Sequence, residues 1–357
     1  MSSDPQGIRC MLMRGGSSKG AFFLASDLPS DPKERDSLLL RIMGSPDARQ
    51  IDGVGGAHPL TSKVAVVSPS NREDVDLEYL FLQVAVDRPE VSDQQNCGNM
   101  LAAVGPFALE RGLIAARDGP TSTRILMTNT GGRAVTDFSV EGGSPLYAGE
   151  TAIGGVPGSG AEIRIEFQDI AGSSSGSLLP TGHVIDEVEG HEVTLVDNGM
   201  PVIVLQAADL GVSGYESCEE LEANSDLRRT LERIRMAAGP MMNLGDVGEA
   251  TVPKLTMVSP PQSGGAVSTR TFIPHRCHQA IGVLGAVSVA TACLLPGSPA
   301  SALANLPPDA EVVRLEHPSG SFEAWVRLHH NGGPRVEKAG IIRTARKLMD
   351  GMVFPRS

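Results

Sequence analysis

The stretch Gly20-Ala-Phe-Phe-Leu-Ala-Ser-Asp27-Leu28 returns later in the chain as Val202-Ile-Val-Leu-Gln-Ala-Ala-Asp209-Leu210. Both read as a short apolar strand that runs through Asp-Leu into a charged helix. A second pair of segments repeats the relationship. Ser62-Lys63-Val-Ala-Val-Val-Ser-Pro69 matches Pro253-Lys254-Leu-Thr-Met-Val-Ser-Pro260, so a lysine begins the same strand twice. An apolar helix over 100–111 follows Cys97, with Pro106 expected to bend it, and another over 280–295 follows Cys277. The repeat is far longer than a solenoid unit, which makes it a duplicated domain rather than a stacked array. Only the first copy carries the turn Asn96-Cys97-Gly98-Asn99 at a helix start. That asymmetry points to a site between two related halves.

Length and composition agree. A chain of 357 residues exceeds the size at which one hydrophobic core keeps growing, and 41% apolar content is ordinary for a globular protein. Two domains of similar size are expected, at 1–186 and 187–357. The 41 glycines, 25 prolines and 4% aromatics indicate many turns between short strands and an aliphatic core.

Five cysteines without regular spacing argue against a disulfide framework and fit a reducing compartment. There is no CxxC pair and no HExxH, so no metal is indicated. The apolar run 280–295 is shorter than the roughly 20 residues a membrane span needs and reads as a buried helix. The start of the sequence has no signal-peptide character, so a cytoplasmic protein without a membrane partner is expected. A formal charge of −12 without a basic tract disfavours nucleic acid. A homodimer is the default assembly for a soluble enzyme.

Within this acidic chain, cations sit in Gly-rich turns: Arg14-Gly-Gly-Ser17-Ser18-Lys19-Gly20 and His275-Arg276. The first fails the P-loop pattern, because it leads into a strand over 21–24 and not into a helix. Asp52-Gly-Val-Gly-Gly-Ala-His58 lacks a full dinucleotide fingerprint. Arg14–Gly20 is therefore either an ordinary solvated turn or a set of amides and hydroxyls suited to a carboxylate.

Cys97 follows Asn96, a helix-capping type, and precedes Gly98, which leaves the thiol uncrowded. A lone cysteine is usually buried and structural. The polar surroundings of Cys97 favour an acid/base role instead. Lys63 is either a snorkelling strand-edge cation or a base in a desolvated pocket, and Lys254 is its internal control.

Several further segments complete a pattern: Met13–Gly20, Gly44-Ser-Pro-Asp47 with Gln50-Ile-Asp-Gly53, Pro59–Lys63, Gln95–Asn99, Asp197-Asn-Gly-Met-Pro201, Phe272-Ile-Pro-His-Arg276 and Arg343–Gly351. Together, over about residues 8 to 354, they resemble the PrpF-like isomerases. The resemblance implies an α+β, diaminopimelate epimerase-like fold: two pseudo-symmetric domains, each a curved barrel-like sheet around a central helix, with the active site in the cleft between them. It also implies cofactor-independent movement of a double bond by proton transfer in a small-molecule tricarboxylate, with Lys63 and Cys97 as the acid/base pair.

Arg14, Ser17, Ser18, Lys19, Ser62, Asn96, Gly98, Asn99, His275 and Arg276 are the expected substrate-binding residues; His58 and His278 are weaker candidates. The duplication offers a rival in which Cys277, near the counterpart of Cys97, makes a two-cysteine epimerase. A tricarboxylate-binding protein without catalysis is the third reading.

Overall fold

A computed structural model describes residues 7–329 and 333–356. The chain forms two compact units, Met1–Phe167 with Ile342–Ser357, and Gln168–Ile341. The sequence reading put one boundary between residues 186 and 187. The chain instead returns to the first unit at its end, because the strand Ala345–Val353 pairs antiparallel with the strand Ile8–Gly15, from Ile8 opposite Val353 to Gly15 opposite Ala345.

The duplication is explicit in the strand pairing. In the first unit, Ile8–Gly15 pairs antiparallel with Ser18–Leu24, which runs parallel to Lys63–Pro69. That strand is antiparallel to Leu77–Val84, which is parallel to Gly119–Met127, itself antiparallel to Gly132–Glu141. The second unit repeats this alternation through His191–Asp197, Pro201–Gln206, Lys254–Ser259, Val267–Phe272, Val312–His317 and Gly320–His329. Gly20 lies opposite Lys63, and Val202 lies opposite Lys254. Both copies of the opening repeat end in a single 3-10 turn, Ala25–Asp27 and Ala208–Leu210.

Parallel neighbours need long crossovers, and helices supply them. Pro32–Met43 starts where Asp31 accepts hydrogen bonds from the amides of Lys33 and Glu34, and stops at Gly44 in the left-handed region (φ 81°). Its counterpart Ser225–Met241 is capped by Asn224. Each packs on one face of its sheet: Leu39, Ile42 and Met43 with Phe23 and Val64, and Leu231 and Ile234 with Ile203 and Leu255.

The second crossover of each unit is the apolar helix. Val283–Leu294 buries every residue from Gly285 to Cys293. Its two hydroxyl residues are satisfied by the Asp197–Pro201 turn: Asn198 Nδ2 donates to Thr291 Oγ1 at 2.9 Å, and Ser288 Oγ donates to the Met200 carbonyl at 2.7 Å. The Asp197 carboxylate in turn accepts from the amides of Ser174 and Ser175. That motif is therefore architectural. In the first unit the expected 100–111 helix is two pieces, Gly98–Leu101 and Val104–Glu110. The break falls at Ala102, four residues before Pro106, where the ring displaces the carbonyl and no N–H is available to bond it. No helix among the described residues is long and apolar enough to cross a membrane.

Candidate active site

Lys63 begins the strand that runs parallel to Ser18–Leu24, and its side chain is held among buried groups with only 7% of the residue exposed. Its Nζ lies 3.6 Å from Cys97 Sγ and 4.8 Å from the centroid of Phe81. Phe81 faces Ala65 across the antiparallel pair, so the ring is a diagonal neighbour of Lys63 and takes the ammonium on its π face.

Cys97, not Asn96, is the N-cap of the following helix: the Leu101 amide bonds the Cys97 carbonyl at 3.0 Å, and no side chain caps the turn. Asn96 instead donates from Nδ2 to Thr130 Oγ1 at 2.5 Å. The Tyr79 hydroxyl also donates to the Cys97 carbonyl, at 3.3 Å. Burial, and then the nearby Cys97, pushes this phenol well above its ordinary range, so it remains a neutral donor.

The Gly15-Gly16 pair allows the first hairpin to lie against this turn. A Cβ at Gly15 would sit 2.4 Å from the Asn99 carbonyl oxygen, and one at Gly16 would sit 2.3 Å from Asn99 Oδ1; Gly16 also has φ +52°. Asn99 Nδ2 donates to Ser17 Oγ at 3.2 Å, and Asn99 Oδ1 accepts from Arg343 Nε at 2.9 Å.

The Arg14 guanidinium is turned back on the chain, donating from Nη1 to the carbonyls of Gly16 (2.8 Å) and Thr344 (3.0 Å); burial and then Arg346 lower its pKa. It clamps the hairpin. Ser18 is buried, with Oγ lacking a protein partner among the described residues. Lys19 donates its amide to the Leu60 carbonyl, which ties the hairpin to the segment that leads into Lys63.

Ser62 is buried and fixed by Gln50, whose Nε2 donates to Ser62 Oγ (2.7 Å) and Ser45 Oγ (3.0 Å) while Oε1 accepts from the Ala57 amide (2.9 Å). His58 Nδ1 accepts from the Leu60 amide and serves the same loop.

In the first unit, then, the structure gathers Lys63, Cys97, Gly98, Asn99 and Ser17, whereas the buried Ser62 hydroxyl is turned into the Gln50–Ser45 network. His275 and Arg276 belong to the second unit, where carboxylates engage both. His275 Nδ1 lies 3.7 Å from Glu232, and Arg276, 81% exposed, reaches Glu222 at 2.9 Å. His278 Nδ1 accepts from the Ala280 amide, and burial, followed by the charge of Lys254, lowers its pKa.

The duplicated fold places Gly282, not Cys277, at the counterpart of Cys97. Gly282 is the N-cap of the second apolar helix, and a Cβ there would lie 3.8 Å from Lys254 Nζ. Cys277 is packed in the core with Cys218, and burial drives its thiol strongly upward.

Sequence reasoning did not single out Tyr79 or Phe81, and it quoted Gln50 and Arg343 only within longer segments. The first two carried a signal: aromatic residues two apart on one strand share a face. Gln50 acts through partners 5 to 12 residues away, and Arg343 reaches Asn99 across 244 residues.

A proton donor and acceptor 3.6 Å apart at a helix start, with the Asn99–Ser17 hydrogen bond in the same turn, suit proton transfer at carbon with charge developing on an adjacent oxygen. The family model described as PrpF protein matches residues 6–356. The (4E)-oxalomesaconate Delta-isomerase of Novosphingobium sp. (strain KA1) is 58% identical over 346 residues, covering 97% of this chain and 96% of that protein. The 4-oxalomesaconate tautomerase of Pseudomonas putida (strain KT2440) is 56% identical over 347 residues, covering 97% and 95%. Among solved structures, a methylitaconate-delta-isomerase superposes with a TM-score of 0.88 at 34% identity, covering 99% of this chain and 96% of that one. With its duplicated sheet-and-helix units and full-length similarity, the chain belongs to the PrpF family and is an isomerase of diaminopimelate epimerase-like fold.

Proposed function

We propose that the protein isomerises 4-oxalomesaconate without a cofactor, by moving a proton between carbon atoms. The observation that carries this reading is the Lys63–Cys97 pair, 3.6 Å apart at the head of the Asn99–Ser17 cluster. The two relatives that share more than half of the sequence and carry oxalomesaconate in their names support the substrate.

In 4-oxalomesaconate the carbonyl and carboxylates acidify a neighbouring C–H, so one base can remove the proton and leave a delocalised enolate. Lys63 first passes its ammonium proton to the Cys97 thiolate across the 3.6 Å contact, and as a neutral amine it takes this proton. Cys97 serves as the partner acid/base when a proton is returned to a different atom. Electrons only shift along the conjugated system, so no oxidant or reductant enters. Ser17 and the amides of Gly98 and Asn99 supply donors for the carboxylates and for the oxygen on which charge develops, with Ser62 acting behind them through the Gln50 network. The reaction belongs to the catabolism of aromatic rings opened to oxo-tricarboxylates.

The test is a proton NMR time course of 4-oxalomesaconate in deuterated buffer with the wild type, Lys63→Ala and Cys97→Ala, and with cis- and trans-aconitate as comparison substrates. The wild type should isomerise 4-oxalomesaconate with deuterium incorporation. Both variants should lose about 10²–10⁴ in kcat, the range for a positioned acid or base. Turnover of aconitate alone would replace the substrate. Full activity in Lys63→Ala would remove the mechanism.

A further inference from the structure

We propose that Arg343 is a positioning residue: through Asn99 it commits the Ser17 hydroxyl to donating its hydrogen outward, to an oxygen of the bound tricarboxylate. The proposal rests on the function proposed above and names a residue to which the reaction itself assigns no part.

Which atoms can donate fixes the direction of each bond. A guanidinium is donor-only, and Arg343 Nε points at Asn99 Oδ1 from 2.9 Å. The Asn99 amide therefore cannot be flipped without setting its NH2 group against that cation. With Oδ1 held by Arg343, Nδ2 faces Ser17 and donates to its Oγ at 3.2 Å. A hydroxyl that accepts from Asn99 cannot also give its hydrogen to Nδ2, so the O–H is left for another acceptor. The charge at the head of the chain polarises each successive bond, which strengthens the last donor.

Arg343 is well fixed for this role. It is 5% exposed, and its Nη1 donates to the Ile342 carbonyl at 2.7 Å. The glycines at 15 and 16 are also explained, since a Cβ at either would strike Asn99 and part Ser17 from it.

Asn99→Asp separates this role from a merely structural one. The carboxylate keeps its bond to Arg343 but presents a second acceptor to Ser17, which then turns its hydrogen inward. Asn99→Asp should melt no lower than the wild type, yet lose about a hundredfold in kcat for 4-oxalomesaconate, as Ser17→Ala does. Both variants should bind tricarballylate, a saturated tricarboxylate that cannot isomerise, about tenfold more weakly by calorimetry.

Arg343→Met should match Ser17→Ala, and the double variant should be no worse than either single, while Arg343→Lys recovers most of the loss. If Arg343→Met does not fold, the Ser17→Ala/Asn99→Asp double variant closes the same cycle. Retained affinity and activity in Asn99→Asp, or a double variant whose loss is the product of the singles, overturns the relay. No turnover by the wild type with tricarballylate binding still weakened in these variants would sink the substrate assignment and leave the relay standing. No binding of tricarballylate to the wild type would overturn both.

Discussion

Lys63 Nζ and Cys97 Sγ face each other across 3.6 Å because the start of an interior strand and a helix start converge. Neither partner is held by the other alone. Phe81 lies under the ammonium and Tyr79 anchors the backbone of the cysteine, and both rings come from the strand Leu77–Val84 that pairs with Lys63–Pro69. The proposed acid/base pair thus draws its support from one strand, whose register places Lys63 directly and Cys97 through Tyr79.

The second half bears on the two-cysteine alternative. Lys254 holds the Lys63 position, but the N-cap beside it is Gly282, and Cys277 lies in the core against Cys218. Cys277→Ala should therefore keep kcat within about threefold of the wild type, at a cost of roughly 1–2 kcal/mol in stability for the lost buried sulfur. Steady-state assay with thermal melting decides it. A loss of activity as deep as that of Cys97→Ala would restore the epimerase mechanism.

Gly20 should not tolerate a methyl group. It lies opposite Lys63, and a Cβ there would sit 2.5 Å from both the Lys63 carbonyl oxygen and the Met100 methyl carbon. The counterpart residue in the second unit is Val202, which shows that the strand itself has no need of glycine. Gly20→Ala should cost about 1–3 kcal/mol by overpacking, and should lower kcat because the backbone of Lys63 has to move. A melting curve and turnover rate that match the wild type would contradict the crowding argument.

Acid stability should depend on Glu316. Burial acts to raise its carboxyl, but the amides of Gln262, Gly265 and Ser263 outweigh burial and hold it below the ordinary carboxylate range. In the unfolded chain the same group titrates near ~4.3. Between the two values the unfolded state binds more protons, so stability falls as pH drops. The contribution is complete above the unfolded value and is lost as pH falls through the folded one. Glu316→Gln should lower stability at neutral pH by about 1.5–3 kcal/mol and flatten the decline below ~4.5. Urea titrations across this range provide the measurement, and an unchanged acid slope would show that the loop at 262–265 is held by other contacts.

The duplication, the strand-to-helix repeats and the lysine-led strands were legible from sequence because each is local: a short apolar run and its flanking residues fix the element wherever it packs, although the 3-10 turn between strand and helix was not foreseen. The same locality exposed Pro106 as a helix disturbance, which became a full break at Ala102. What sequence could not give was the pairing of distant groups. Arg14 read as an anion binder, and in space its Nη1 donates to the carbonyls of Gly16 and Thr344, the latter brought back by the final strand. That same strand moved the domain boundary, since residues 345–353 pair with residues 8–15. Asn96 had the better capping side chain, but Thr130 binds it and the cap falls to Cys97. Cys277 resembled Cys97 along the chain, whereas in space the equivalent position is Gly282. Composition and periodicity specify which elements form; which donor meets which acceptor is decided only when the sheet's register closes separations such as the 244 residues between Arg343 and Asn99 and the 330 between Arg14 and Thr344.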